Sequence, residues 1–185
     1  DDFAKEYINP ELEVNSCEDA IAGAMDIIAE LVSDDADYRK EIRNITTTRG
    51  LVKTKAATEE DSVYAMYYDF AEPVSKIASH RVLAINRGEK EKKLKVKVIT
   101  DNDKMGSLIG DAIITNEKSI FTGLLEDTVA DAYKRLMAPS IEREMRNMLT
   151  ERAEAEAVKV FAKNTEKLLM VPPVKGARII SIDPG

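Results

Sequence analysis

Apolar residues recur at spacings of three and four from Cys17 through Ala20, Ile21, Ala24, Ile28 and Leu31, which predicts one face of a helix over residues 17–33. Ser16 stands where an N-cap belongs, and Asp19 supplies the carboxylate of a capping-box variant. Asp34, Asp35 and Asp37 then precede Arg39, Lys40 and Arg43, the charge order a helix macrodipole favours, so a second helix follows at once. Gly50 is its expected stop. Two helices joined so tightly form a hairpin or a corner. Residues 51–56 read as a short extended piece. A third helix is expected around Glu59–Tyr68, with Pro73 interrupting the pattern after it. Ser79 is expected to cap a fourth helix that holds Val82, Leu83 and Ile85 and ends at Gly88.

The period changes at Lys93. Lys93-Leu94-Lys95-Val96-Lys97-Val98 alternates strictly, the mark of a half-buried strand with three lysines on one face. Asp101 opens helical sequence to about Ile114, and another helix covers Leu124 to Met137. Pro139 suits a first helical turn, where its missing N–H is harmless. Nothing then stops a helix before Met170, a span of about 48 Å at 1.5 Å per residue. Ile141, Met145, Met148, Val158, Ala162, Thr165 and Leu169 form its stripe, and Glu142–Arg146 and Arg152–Glu156 are i,i+4 pairs. Pro172 and Pro173 end it. Arg178-Ile179-Ile180-Ser181-Ile182 reads as a buried strand, followed by Asp183-Pro184-Gly185 as a turn; a buried-type strand there implies a boundary inside a larger protein. The expected fold class is therefore mainly α: a multi-helix scaffold with one long C-terminal helix and one or two short β-strands.

Composition narrows the function. The 185 residues are 44% hydrophobic but hold only 4 Phe, 6 Tyr and no Trp, so the core must be aliphatic. A net charge of −7 repels polyanions at long range and argues against nucleic-acid binding by the chain as a whole. Cys17 is the only cysteine, which removes a disulfide framework and a Cys-rich zinc site and fits a reducing, cytoplasmic setting. No run of about 18 apolar residues and no basic-then-apolar leader pattern points to a membrane or to secretion.

Candidate chemistry is sparse. His80 is the only histidine, which rules out a two-histidine metal site, and its place after Ser79 suggests a structural hydrogen bond. The acidic clusters Asp34-Asp35 and Glu59-Glu60-Asp61 lack the alternating ligands and turn glycine of a calcium loop. Gly106, Gly110 and Gly123 do not sit in a strand–glycine–helix order that cradles phosphate. Asp183 ends a strand as a metal-binding carboxylate would, but two-metal chemistry needs several such groups and the chain supplies one. Hence no catalytic residue, metal ligand or cofactor is assigned. The exception to the acidic balance is residues 87–97. Arg87, Lys90, Lys92, Lys93, Lys95 and Lys97 against Glu89 and Glu91 leave a local charge of +4 (six minus two). These six could contact phosphates. Lysines are also the ordinary guard of an edge strand, and no aromatic lies among them to stack on a base.

The order of these segments resembles the Tex family of bacterial transcription accessory proteins. The likeness is carried by Tyr68-Asp69-Phe70-Ala71-Glu72-Pro73, by Ser79-His80-Arg81-Val82-Leu83-Ala84 and by Arg87-Gly88-Glu89. Asp131-Ala132-Tyr133-Lys134-Arg135-Leu136, Pro139-Ser140-Ile141-Glu142-Arg143-Glu144, Val158-Lys159-Val160-Phe161-Ala162 and Ile182-Asp183-Pro184-Gly185 complete it. Two positions depart: Ala71 stands where the family often has Ser, and Lys92 where it often has Gly. The resemblance implies a helical scaffold over residues 1–171, then a linker and the first strand of an RNase H-like YqgF domain over 172–185, with Asp183 at the position of a first metal ligand. It also implies RNA or single-stranded DNA as ligand through domains absent from this chain, and RNA polymerase or other transcription proteins as partners. Three functions stay open: a non-catalytic scaffold, the lead-in to a metal-dependent nuclease, and a docking module for the transcription machinery.

Overall fold

The computed structural model describes residues 2–116, 118–172, 175–176, 178 and 180–182. At its centre β1 (Leu51–Ala56) pairs antiparallel on one side with β2 (Asp69–Pro73) and on the other with β3 (Leu94–Ile99), giving the order β2-β1-β3. The alternation in the sequence becomes two faces. Val52, Thr54, Leu94, Val96 and Val98 are buried, while Lys55, Lys95 and Lys97 are exposed and Lys53 half-buried on the opposite face.

The fold is mainly α with one long C-terminal helix, as expected; the small sheet has three strands, the additional one being β2, and residues 59–68 before it do not form the expected helix. Thr58 Oγ1 accepts from the Glu60 N–H at 3.2 Å, and Ser62 Oγ accepts from the Tyr64 N–H at 3.1 Å. Such local hydroxyl bonds offer the backbone an alternative to the helical ladder. Only a 3₁₀ turn forms, Ala65–Tyr67; the Tyr67 carbonyl accepts from the Thr54 hydroxyl, and Tyr64 and Tyr67 are both buried. The chain is then extended into β2.

Helix α1 (Cys17–Asp34) starts as expected, with the Asp19 N–H on Ser16 Oγ at 3.1 Å. Its buried residues are Ala29, Val32 and Ser33, whereas Ala24 and Leu31 of the expected stripe are exposed. Two apolar stripes, through Ile27 and Leu31 and through Ile28 and Val32, compete on this helix, and the neighbouring elements cover the second. Helix α2 (Ala36–Arg49) is capped by Asp35, which accepts from the Asp37 and Tyr38 N–H groups. Gly50 does stop α2, but not in the left-handed conformation: its φ is −66°, and glycine is required because a Cβ would lie 2.3 Å from the Thr46 carbonyl oxygen.

Helix α3 (Ser79–Lys90) corrects two expectations. Ala78 occupies the cap position, and Ser79 lies inside the helix with its hydroxyl donating to Glu156. Gly88 does not terminate α3 but lets it close on the sheet, since a Cβ there would meet Leu94 Cδ1 at 2.7 Å. The chain turns at Lys92, whose φ of 58° is a conformation that glycine would adopt without strain.

After α4 (Asn102–Ile113), capped by Asp101, comes one unbroken helical run. It consists of α5 (Thr122–Asp131), a π-helical stretch (Ala132–Met137) and α6 (Ala138–Leu169). Pro139 does stand in the first turn of α6, as expected, but α6 continues from the π-helical stretch without a break before it. The Ala138 N–H reaches the Tyr133 carbonyl, and this wider turn carries the helix past a residue that cannot donate to position i−4. Ile141, Met145, Leu149 and Ala153 form the buried stripe of α6. Beyond them the expected stripe is not packed: Val158 is 67% exposed, Phe161 72% and Leu168 73%.

Tertiary partners also replace the two i,i+4 pairs. Glu142 Oε1 accepts from the Val98 N–H at 3.0 Å, and Arg146 donates to the Val96 carbonyl at 3.4 Å, to Asn86 Oδ1 at 3.2 Å and to Glu89. Arg152 donates to the Ile77 carbonyl at 2.7 Å, while Glu156 holds Ser79. Both members of each pair thus fasten α6 to a neighbour. Glu144 does the same for α2, accepting from Arg39 at 3.0 Å and Arg43 at 2.8 Å. The strand expected over 178–182 is not formed by the residues described there, where Ile180 and Ile182 are 89% and 83% exposed. Among the described residues the sheet consists of β2, β1 and β3, and residues 178 and 180–182 do not join it. Ile179 and the Asp183-Pro184-Gly185 turn lie outside the described residues.

Candidate functional site

The six basic residues singled out in the sequence do not act alike. Arg87 pairs with Glu91 one turn on at 3.0 Å. The hydrogen bond from Arg87, then that from Tyr64, holds the Glu91 carboxyl below the usual carboxylate range. Lys93 pairs with Glu60 at 3.1 Å. These two charges are answered within the chain. Lys90 and Lys92 are set around the turn between α3 and β3. Of the six, Lys95 and Lys97 stand side by side on the outward face of the sheet.

There they meet two lysines that alternation in residues 87–97 does not reveal. Lys53 is directly opposite Lys97, and Lys55 directly opposite Lys95. Directly opposite side chains in an antiparallel pair have Cβ atoms about 4.5–5.5 Å apart, so the four ammonium groups form a compact positive patch. Residues two apart on one strand are separated by about 6.8 Å. Among the described residues, no carboxylate comes within ion-pair distance of any of the four. Asp69, opposite Lys55 on β2, is the acid that shares their rows. The signal that could have found Lys53 and Lys55 was present: Leu51-Val52-Lys53-Thr54-Lys55 alternates as β3 does, but the segment is too short to announce which strand it joins.

The outer edge of β3 is occupied. Glu142 takes the Val98 N–H and Arg146 the Val96 carbonyl, so α6 side chains stand where a further strand would pair. Elsewhere the reactive side chains do not assemble. His80 is exposed at the start of α3, on a groove of about 560 Å³ between α3 and α6, and among the described residues its ring has no hydrogen-bond partner. The structural hydrogen bond expected of it is not made. Ser79 beside it is held by Glu156, not by His80. Among the described residues no three His, Cys, Asp or Glu side chains converge to hold a metal ion, and no helix is long and apolar enough to cross a membrane. A second groove of about 640 Å³, between α1 and α5, is lined mainly by apolar side chains including Phe3, Ile27 and Phe121.

Fold and site together define a helical frame built on a small sheet, with positive charge concentrated on one open face. The family model described as Tex central region-like matches residues 1–161, and the chain belongs to that family. It is 44% identical over 185 residues to the uncharacterized protein YdcI of Bacillus subtilis (strain 168), covering 98% of this chain and 26% of that protein. It is 29% identical over 199 residues to protein tex of Bordetella pertussis, covering 99% of this chain and 25% of that one. It is also 31% identical over 196 residues to the human S1 RNA-binding domain-containing protein 1, covering 97% and 20%. The chain thus spans about a quarter of the length of the curated relatives it matches or less.

Proposed function

We propose that residues 1–171 are the non-catalytic scaffold of a nucleic-acid-binding transcription accessory protein, and that residues 172–185 lead into an RNase H-like domain of the YqgF type. The reading is carried by the Tex central region-like match over 1–161. It is supported by relatives whose names refer to an S1 RNA-binding domain and to a transcriptional accessory protein. RNA or single-stranded DNA is then gripped chiefly by domains outside these residues, while α6 and the sheet fix where those domains stand. RNA polymerase or other transcription proteins are the partners, in the cytoplasm, where a lone cysteine stays reduced.

The test compares the intact natural protein with the 185-residue segment by fluorescence anisotropy on a labelled single-stranded RNA. The intact protein is expected to bind much more tightly, and the segment to leave the RNA uncut in the presence of Mg²⁺. Equal affinity of the two, or Mg²⁺-dependent cleavage by the segment alone, would overturn the scaffold assignment.

A further inference from the structure

We propose that the outward face of the sheet, with Lys53 and Lys55 on β1 and Lys95 and Lys97 on β3, is a site for the phosphate backbone of a nucleic-acid strand. The identity of the polymer rests on the reading above; the site does not.

Like charges directly opposite each other weaken a sheet. Here two such pairs lie next to one another, and the chain's 34 acidic residues leave all four lysines without a carboxylate at ion-pair distance among the described residues. Asp69 reduces the four charges of these rows to a net +3. A phosphate backbone supplies the missing counter-charge. Edge protection does not account for the arrangement, because Lys53 and Lys55 belong to the central strand and the edge of β3 is already covered by Glu142 and Arg146. Lysine is a mobile point charge, not a planar fork, and the lysine rows carry no aromatic, so binding here is independent of base sequence and sensitive to salt. An acidic protein segment is the less suited ligand, since one adding as a strand beside Lys95 and Lys97 would need the edge of β3 that α6 covers.

The experiment uses the intact natural protein, a labelled oligouridine and a salt series from about 50 to 200 mM. The variant K53Q/K55Q/K95Q/K97Q is compared with wild type and with K118Q/K159Q/K163Q/K167Q, which removes four lysines elsewhere. On a single strand, each phosphate no longer neutralised by a lysine lowers the slope of log affinity against log salt by about 0.7, so four lower it by about 2.8. Over that range the affinity of wild type then falls about 50-fold further than that of the sheet-face variant, while the control follows wild type. Replacing the four with arginine keeps the slope, and K95Q/K97Q alone removes about half the effect, which preserves the test should the quadruple variant fold poorly. Salt-dependent binding by wild type with an unchanged slope in the variant overturns the site and leaves the nucleic-acid reading standing. Absence of binding by wild type overturns both. Tighter binding of polyglutamate than of RNA, abolished in the variant, reassigns the face to an acidic protein segment and overturns the proposal.

Discussion

Leu149 and Leu168 lie on the same helix, carry the same side chain and face opposite fates on truncation. Leu149 is 2% exposed, in the stripe that packs α6 against its neighbours; Leu168 is 73% exposed on the projecting half. Truncating a buried leucine to alanine loses the transfer free energy of the removed carbons and leaves a cavity, about 2.7–5.0 kcal/mol in a well-packed core. Leu149→Ala is therefore expected to cost about 3–5 kcal/mol. Leu168 has only about a quarter of its surface covered, and a leucine is worth about 1.5–3 kcal/mol when fully buried. Leu168→Ala is thus expected to cost about 0.5 kcal/mol, partly offset by alanine's better helix propensity. Urea unfolding followed by circular dichroism reads both. With a slope of about 2 kcal/mol per molar, the first variant's midpoint falls by about 2 M and the second's by about 0.2 M, the slope itself staying constant. Equal costs would refute the division of α6 into an anchored and a projecting half. A cost below about 1 kcal/mol at Leu149 would refute its place in the core.

Arg146→Ala removes the donor shared by Glu89, Asn86 and the Val96 carbonyl, and is expected to cost about 2–3 kcal/mol in the same assay. Arg146→Lys should recover less than half of that, because an ammonium cannot reproduce the planar fork. The hydrogen bond from Arg43 outweighs burial and, with that from Arg39, holds the Glu144 carboxyl below its ordinary range. A depressed folded pKa contributes stability above the unfolded value of about 4.3 and loses it as pH falls through the folded one. Glu144→Gln, discounted for solvent screening, is therefore expected to cost about 1 kcal/mol at pH 7 and progressively less as the pH is lowered below about 4.3, measured by thermal unfolding across an acid pH series. Gly50→Ala should destabilise by about 1–2 kcal/mol despite an ordinary φ, since the new Cβ meets backbone at Thr46 that cannot yield; an unchanged melting temperature would refute the close approach.

Period and caps carried most of the fold. Ser16 and Asp35 begin their helices, the alternation from Leu94 to Val98 lies in β3, and the uninterrupted stretch after Pro139 is the long helix. What escaped depends on partners distant in the chain. Thr58 and Ser62 look harmless in a helical window until their hydroxyls take backbone N–H groups. Gly88 looks like a stop because its role, making room for Leu94 and Tyr64, involves residues outside its own segment. Glu142 and Arg146 sit at ideal helical spacing, yet partly buried backbone groups of β3 compete for them and win. The candidate site divides the same way. Lys95 and Lys97 were legible from alternation, but their neighbours Lys53 and Lys55 lie some forty residues upstream, and only strand pairing brings the two sets together.

The helical run from Thr122 to Leu169 has a mechanical consequence. It is held along its length from Thr128 and Val129 to Leu149 and Ala153, with Glu156 bonded to Ser79 one turn on, while Leu169 lies sixteen residues beyond Ala153, about 24 Å away. Geometry makes this a lever: a pivot of about 5° at the gripping side chains swings the tip through about 2 Å. Repacking the interior residues where the run is held would therefore steer a surface far from them, with no change in the residues at that surface.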